Sequence, residues 1–159
     1  MGLGLKLLRR RQHTEATRPA DMGAVNERYN TYFPRLFAYV RCCVGGEMPA
    51  QDIVIQAFSR AFSHPDSADE DCFRTVLFRT ARRLCRPALR QPTIDRDDPL
   101  NRREREILSL VFDAGLTREQ IARLFRIRES TVSAKLMTGL RKLKEQTSPA
   151  AAAAYLKLA

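Results

Sequence analysis

The sequence predicts an all-α protein: two small helical bundles joined by a short linker, the C-terminal one a helix-turn-helix. Three observations carry this. Apolar residues recur at helical steps of three and four almost everywhere, and no stretch of comparable length alternates with period two. A segment with two prolines and three aspartates, Gln91 to Pro99, interrupts the pattern. Beyond it, a capping signal, a tight turn and a second helix start follow closely between Thr117 and Val132.

In chain order, the first stripe is Tyr29, Tyr32, Phe33, Leu36, Phe37, Val40 and Val44. The second is Ile53, Val54, Ala57, Phe58, Ala61 and Phe62, after Pro49, which suits a helix start. The third is Phe73, Val76, Leu77, Ala81, Leu84 and Ala88, with Pro87 expected to interrupt its end. These stripes can bury one another, giving a bundle over residues 24–90. Residues 1–23 form a basic extension, 91–100 the linker, 101–146 the second helical block and 147–159 an Ala-rich tail. Such small bundles leave apolar edges, which should dock on a partner or on each other and hide DNA-binding surface.

In the second block, Ile107, Leu108, Val111 and Phe112 make a stripe closed by Gly115, a residue suited to a helix C-terminus. Thr117 and Gln120 form a capping-box pattern ahead of a helix over 118–125 that buries Ile121, Ala122 and Phe125. Ala122 is small enough for a steep helix crossing, and Ile127 plugs the turn. The last helix starts near Glu129 and should bury Val132, Leu136, Leu140 and Leu143. Its first turns can then enter a major groove, with Ser130, Thr131, Ser133 and Lys135 toward the bases and Arg141, Lys142 and Lys144 toward phosphates.

Charge supports a polyanionic partner. Lys and Arg number 28 against 18 Asp and Glu, a formal net charge of +10. The distribution is uneven: residues 47–72 are acidic, whereas 74–96 carry seven arginines against one aspartate. No apolar run approaches the roughly 20 residues that span a bilayer, so no membrane insertion is expected. The basic cluster Arg9-Arg10-Arg11 follows the apolar start instead of preceding it, which does not suit a signal peptide.

The cysteines are Cys42, Cys43, Cys72 and Cys85, without a Cys-x-x-Cys pair, and the only histidines are His13 and His64. This reads as small buried thiols and exposed imidazoles in a reducing cytoplasm; no metal and no cofactor are expected. No Gly-rich phosphate loop and no Ser/His/Asp set is evident, so no catalytic residues and no enzyme activity are expected.

The residues also resemble a known family. Leu100 to Leu108, Leu116 to Ala122, Ser130-Thr131-Val132, Lys135-Leu136 and Leu140 to Leu143 are similar to the upstream-promoter-reading domain of bacterial RNA polymerase sigma factors of the extracytoplasmic-function (ECF) type. More loosely but colinearly, Tyr29–Val40 resembles the first helix of that family. Asp52 to Phe58 resembles its clamp-docking helix, and Phe73 to Arg82 the stretch that meets the downstream element. Where the family turn has Gly, this chain has Arg126. A left-handed arginine costs about 1 kcal/mol, so a differently shaped turn is expected.

The resemblance implies a sigma factor that binds core RNA polymerase and directs transcription initiation at specific promoter DNA, with an anti-sigma factor as a further partner. Residues 24–90 would be the region 2-like domain and 101–146 the region 4-like domain. Asp52, Ile55, Gln56 and Ser59 would meet the polymerase. Arg79, Arg82, Arg83 and Arg86 would meet the downstream element, and Arg128, Ser130, Thr131, Ser133, Lys135, Arg141 and Lys142 the upstream one. A linker of this length stretches at most about 35 Å at ~3.5 Å per residue, short for simultaneous engagement of both elements. Two other readings remain open: a sigma-like mimic that sequesters an anti-sigma factor, and a stand-alone helix-turn-helix regulator.

Overall fold

The computed structural model describes residues 19–89 and 99–146. Within them the chain forms six helices and no strand: α1 (Pro19–Val44), α2 (Glu47–Phe62), α3 (Glu70–Leu89), α4 (Arg102–Phe112), α5 (Arg118–Phe125) and α6 (Glu129–Gln146). Most of the basic extension, the body of the linker and the Ala-rich tail lie outside the described residues.

The first three helices pack as their stripes dictate. Leu36, Tyr39 and Val40 of α1, Val54 and Ala57 of α2, and Phe73, Leu77 and Ala81 of α3 are fully excluded from solvent. A ring cluster of Tyr29, Phe58, Phe62 and Phe73 closes one end, with centroids 4.9 Å apart for Tyr29–Phe58 and for Phe62–Phe73. Helix α2 starts at Glu47, ahead of Pro49. The proline thus sits inside the first turn, where its missing N–H has no intrahelical partner to lose.

Pro87 does not interrupt α3, contrary to expectation: the helix runs through it to Leu89. A proline so near a C-terminus removes only one bond of the last turns, and buried Cys85 beside it keeps the segment on the core. The Cys85 thiol interacts with Cys43 of α1; this hydrogen bond and then burial push the Cys43 thiol well above its ordinary value, so it stays protonated.

The two blocks are packed on each other. Ile107 and Leu110 of α4, Ala114, Leu116, and Ile121 and Ala122 of α5 belong to the same continuous core as the first bundle. Helix α4 lies on α1, and α5 lies on α3. The apolar edges of each block thus cover part of the other.

Candidate nucleic-acid interface

Local chemistry builds the C-terminal helices. Asn101 caps α4: its side chain accepts from Glu104 N at 2.9 Å, and the Glu104 carboxylate accepts from Asn101 N at 3.0 Å. Thr117 and Gln120 repeat this reciprocal box at α5, as the sequence predicted, with bonds of 3.2 Å and 2.9 Å. Gly115, with φ 67°, turns the chain between them in the left-handed region that glycine enters without a Cβ penalty.

The turn from α5 to α6 keeps its left-handed residue despite the arginine. Arg126 has φ 55° and ψ 47°, which corrects the expectation of a reshaped turn. Ile127 N donates to Ala122 O at 3.0 Å, and Arg126 N donates to Arg123 O at 3.3 Å. These bonds satisfy the last carbonyls of α5 and offset the cost of Arg126. Ile127 and Val132 then fix α6 against α5, Val132 with no exposure.

Helix α6 is rotated from the predicted seam. Val132 is buried and Leu136 half-buried, but the next contact is Gly139, not Leu140. A Cβ on Gly139 would meet Leu108 at 3.0 Å and Leu100 at 3.5 Å, so the glycine lets α6 lie close on α4. Leu140 and Leu143 are each 37% exposed. Phe112, also placed in an apolar stripe, is 65% exposed at the end of α4.

Two buried glutamates organise the underside of this unit. Glu104 accepts from Lys142 Nζ at 2.8 Å as well as from Asn101 N. Burial alone would raise its pKa; the Lys142 bond, the Asn101 bond and the charges of Lys142 and Lys135 together lower it. Glu106 accepts from Arg82 Nε of α3 at 2.8 Å and from Tyr39 Oη of α1 at 3.1 Å. The Arg82 guanidinium also covers the Phe125 ring at 4.1 Å, and Arg103 covers the same ring at 4.4 Å.

The predicted contact residues divide accordingly. Arg128, Ser130, Thr131 and Arg141 are exposed, while Ser133 and Lys135 are half-buried. Arg118 reaches across to Ser133 Oγ at 3.4 Å and Glu129 at 3.7 Å, which steadies the start of α6. Arg79, Arg83 and Arg86 lie exposed along α3 at helical spacing. Arg82 and Lys142 instead hold the buried glutamates. On α2, Asp52, Ile55, Gln56 and Ser59 share one exposed face with Met48, which is 75% exposed. Ala134 of α6 is also exposed.

Residues 98–145 match the family model for region 4 of sigma-70. That stretch takes in α4, α5 and all but the last residue of α6, so the C-terminal unit is similar to the DNA-binding helix-turn-helix of sigma factors. No curated protein matches the chain. Among the described residues no helix is long and apolar enough to cross a membrane.

Proposed function

We propose that the protein is a promoter-specificity subunit of the ECF sigma type, with no chemistry of its own. The observation that carries the reading is the region 4 match over residues 98–145, on a helix whose first turns stand open to solvent. In this reading Arg128, Ser130, Thr131, Ser133, Ala134 and Lys135 face the upstream element, and Arg141 faces phosphate. The α2 face of Met48, Asp52, Ile55, Gln56 and Ser59 docks on core RNA polymerase. Arg79, Arg83 and Arg86 meet the downstream element. Arg82 joins them only once α4 leaves α3, because Glu106 and Phe125 hold it in the packed arrangement. An anti-sigma partner would use the exposed apolar strips, Met48 with Ile55 and Met137 with Leu140.

Equilibrium binding to duplexes selected from a random pool tests the DNA-reading roles. Lys135→Ala should weaken the selected duplex by about 1–3 kcal/mol and leave scrambled DNA nearly unaffected. Arg141→Ala should weaken both and lower the salt slope by about one unit. Equal, salt-insensitive losses from both variants would overturn these roles.

A further inference from the structure

A second cluster lies away from the helix-turn-helix, at the corner between α2 and α3. His64 and Asp66 come from the loop after α2, and Cys72 from the first turn of α3. Their candidate donor atoms all lie within 4.8 Å of one another. Cys72 Sγ is 3.6 Å from His64 Nδ1, and Asp66 Oδ2 is 4.0 Å from the same nitrogen. Tetrahedral zinc, with bonds of about 2.0–2.3 Å, separates its ligand atoms by roughly 3.5 Å. The side chains are therefore already near the spacing that one ion requires.

We infer that His64 Nδ1, Cys72 Sγ and the Asp66 carboxylate form a three-ligand site for a borderline-soft divalent cation of the zinc class. Thiolate and imidazole select such an ion over magnesium or calcium, which take oxygen ligands. The fourth position faces solvent, since Asp66 is exposed and His64 and Cys72 are half-buried.

The surroundings hold the three ligands in place. The Asp69 carboxylate accepts from Cys72 N at 2.6 Å and so fixes the backbone that carries the sulfur. Within the loop, Ser67 N donates to His64 O at 3.0 Å and Asp69 N to Asp66 O at 3.1 Å. Arg28 of α1 donates to the carbonyls of Ser67 and Ala68, which ties the loop to the bundle. His64 Nδ1 accepts from Asp66 N at 3.2 Å, which orients this ring nitrogen within the loop. Binding exchanges that bond for the metal and releases the Cys72 thiol proton to solvent.

Charge favours a cation there. Asp66, Asp69, Glu70 and Asp71 crowd the corner, and the nearby guanidiniums are engaged, Arg28 with Glu70 and Arg74 with Asp71. The site would clip the end of α2 to the start of α3 and stabilise the first bundle. This inference is independent of the sigma-factor reading.

Titration of the full chain with Co²⁺ alone, followed by Zn²⁺, tests it. One equivalent of Co²⁺ should give a thiolate-to-cobalt charge-transfer band and intense tetrahedral visible bands, both removed by Zn²⁺. The charge-transfer band should vanish in Cys72→Ser, persist in Cys42→Ser, and require at least about tenfold more Co²⁺ in His64→Ala. Zn²⁺ should also raise the melting temperature of the unmodified chain. A wild-type chain with no thiolate band, or a band unchanged in a helical Cys72→Ser variant, would overturn the assignment. So would a wild-type melting temperature that Zn²⁺ does not move.

Discussion

Arg82 of α3 binds Glu106 of α4 at 2.8 Å, with the carboxylate side chain only 5% exposed. This pair ties the first bundle to the helix-turn-helix, because Glu106 also receives Tyr39 Oη and Arg82 also covers Phe125. Removing one partner of a buried pair leaves a charge without compensation, which costs about 3–5 kcal/mol. Arg82→Ala should therefore lower unfolding stability by about 3 kcal/mol, read from urea denaturation. Arg79→Ala and Arg83→Ala, on the exposed side of the same helix, should stay within about 0.5 kcal/mol. Similar losses from all three would show that Arg82 is not a special tie.

The left-handed Arg126 sets up a stabilising substitution. Glycine adopts φ near 55° without a Cβ penalty, and neither backbone bond of this turn depends on the arginine side chain. Arg126→Gly should raise unfolding stability by about 0.5–1 kcal/mol, offset in part by the freer unfolded chain. Thermal unfolding followed by circular dichroism reads this directly; a lower midpoint would contradict the account.

Gly139 should tolerate little bulk. A Cβ would meet Leu108 Cδ1 at 3.0 Å, so a large side chain must separate α6 from α4. Gly139→Leu should destabilise by about 1–3 kcal/mol and weaken DNA binding through displacement of α6. Leu140→Ala, at a more exposed neighbour, should cost less. The reverse order in denaturant midpoints would place the seam at Leu140.

Acid should loosen the α4–α6 contact. The Glu104 pKa is lowered in the folded chain, since the Lys142 and Asn101 bonds and nearby lysine charges outweigh burial. A depressed folded value means that this stability is fully present above the unfolded glutamate value, about 4.3, and is lost as pH falls through the folded value. Stability measured from pH 6 to about pH 3 should therefore fall more steeply in the wild-type chain than in Glu104→Gln. Parallel curves would remove Glu104 as a source of the acid sensitivity.

Much of this architecture was legible as pattern. The three stripes gave the first bundle, and Thr117 with Gln120 gave the start of α5. The same cap spacing at Asn101 and Glu104 is masked in the sequence by the charged run around it. Tertiary pairings were not legible: Arg82 and Glu106 are 24 positions apart, and nothing local marks them as partners. Periodicity also failed at α6, where steps of three and four both fit and only the close approach of α4 selects Gly139 over Leu140. His64 and Cys72 looked scattered because the loop between α2 and α3 that folds them together carries no apolar period.

Run-off transcription with purified core RNA polymerase tests the central claim most directly. Core enzyme plus this protein should produce new transcripts from a narrow set of promoters in a genomic DNA library, and the two should co-elute in gel filtration. Loss of those transcripts in a folded Lys135→Ala variant would tie them to α6. No new transcript and no complex with core enzyme would contradict the sigma-factor account.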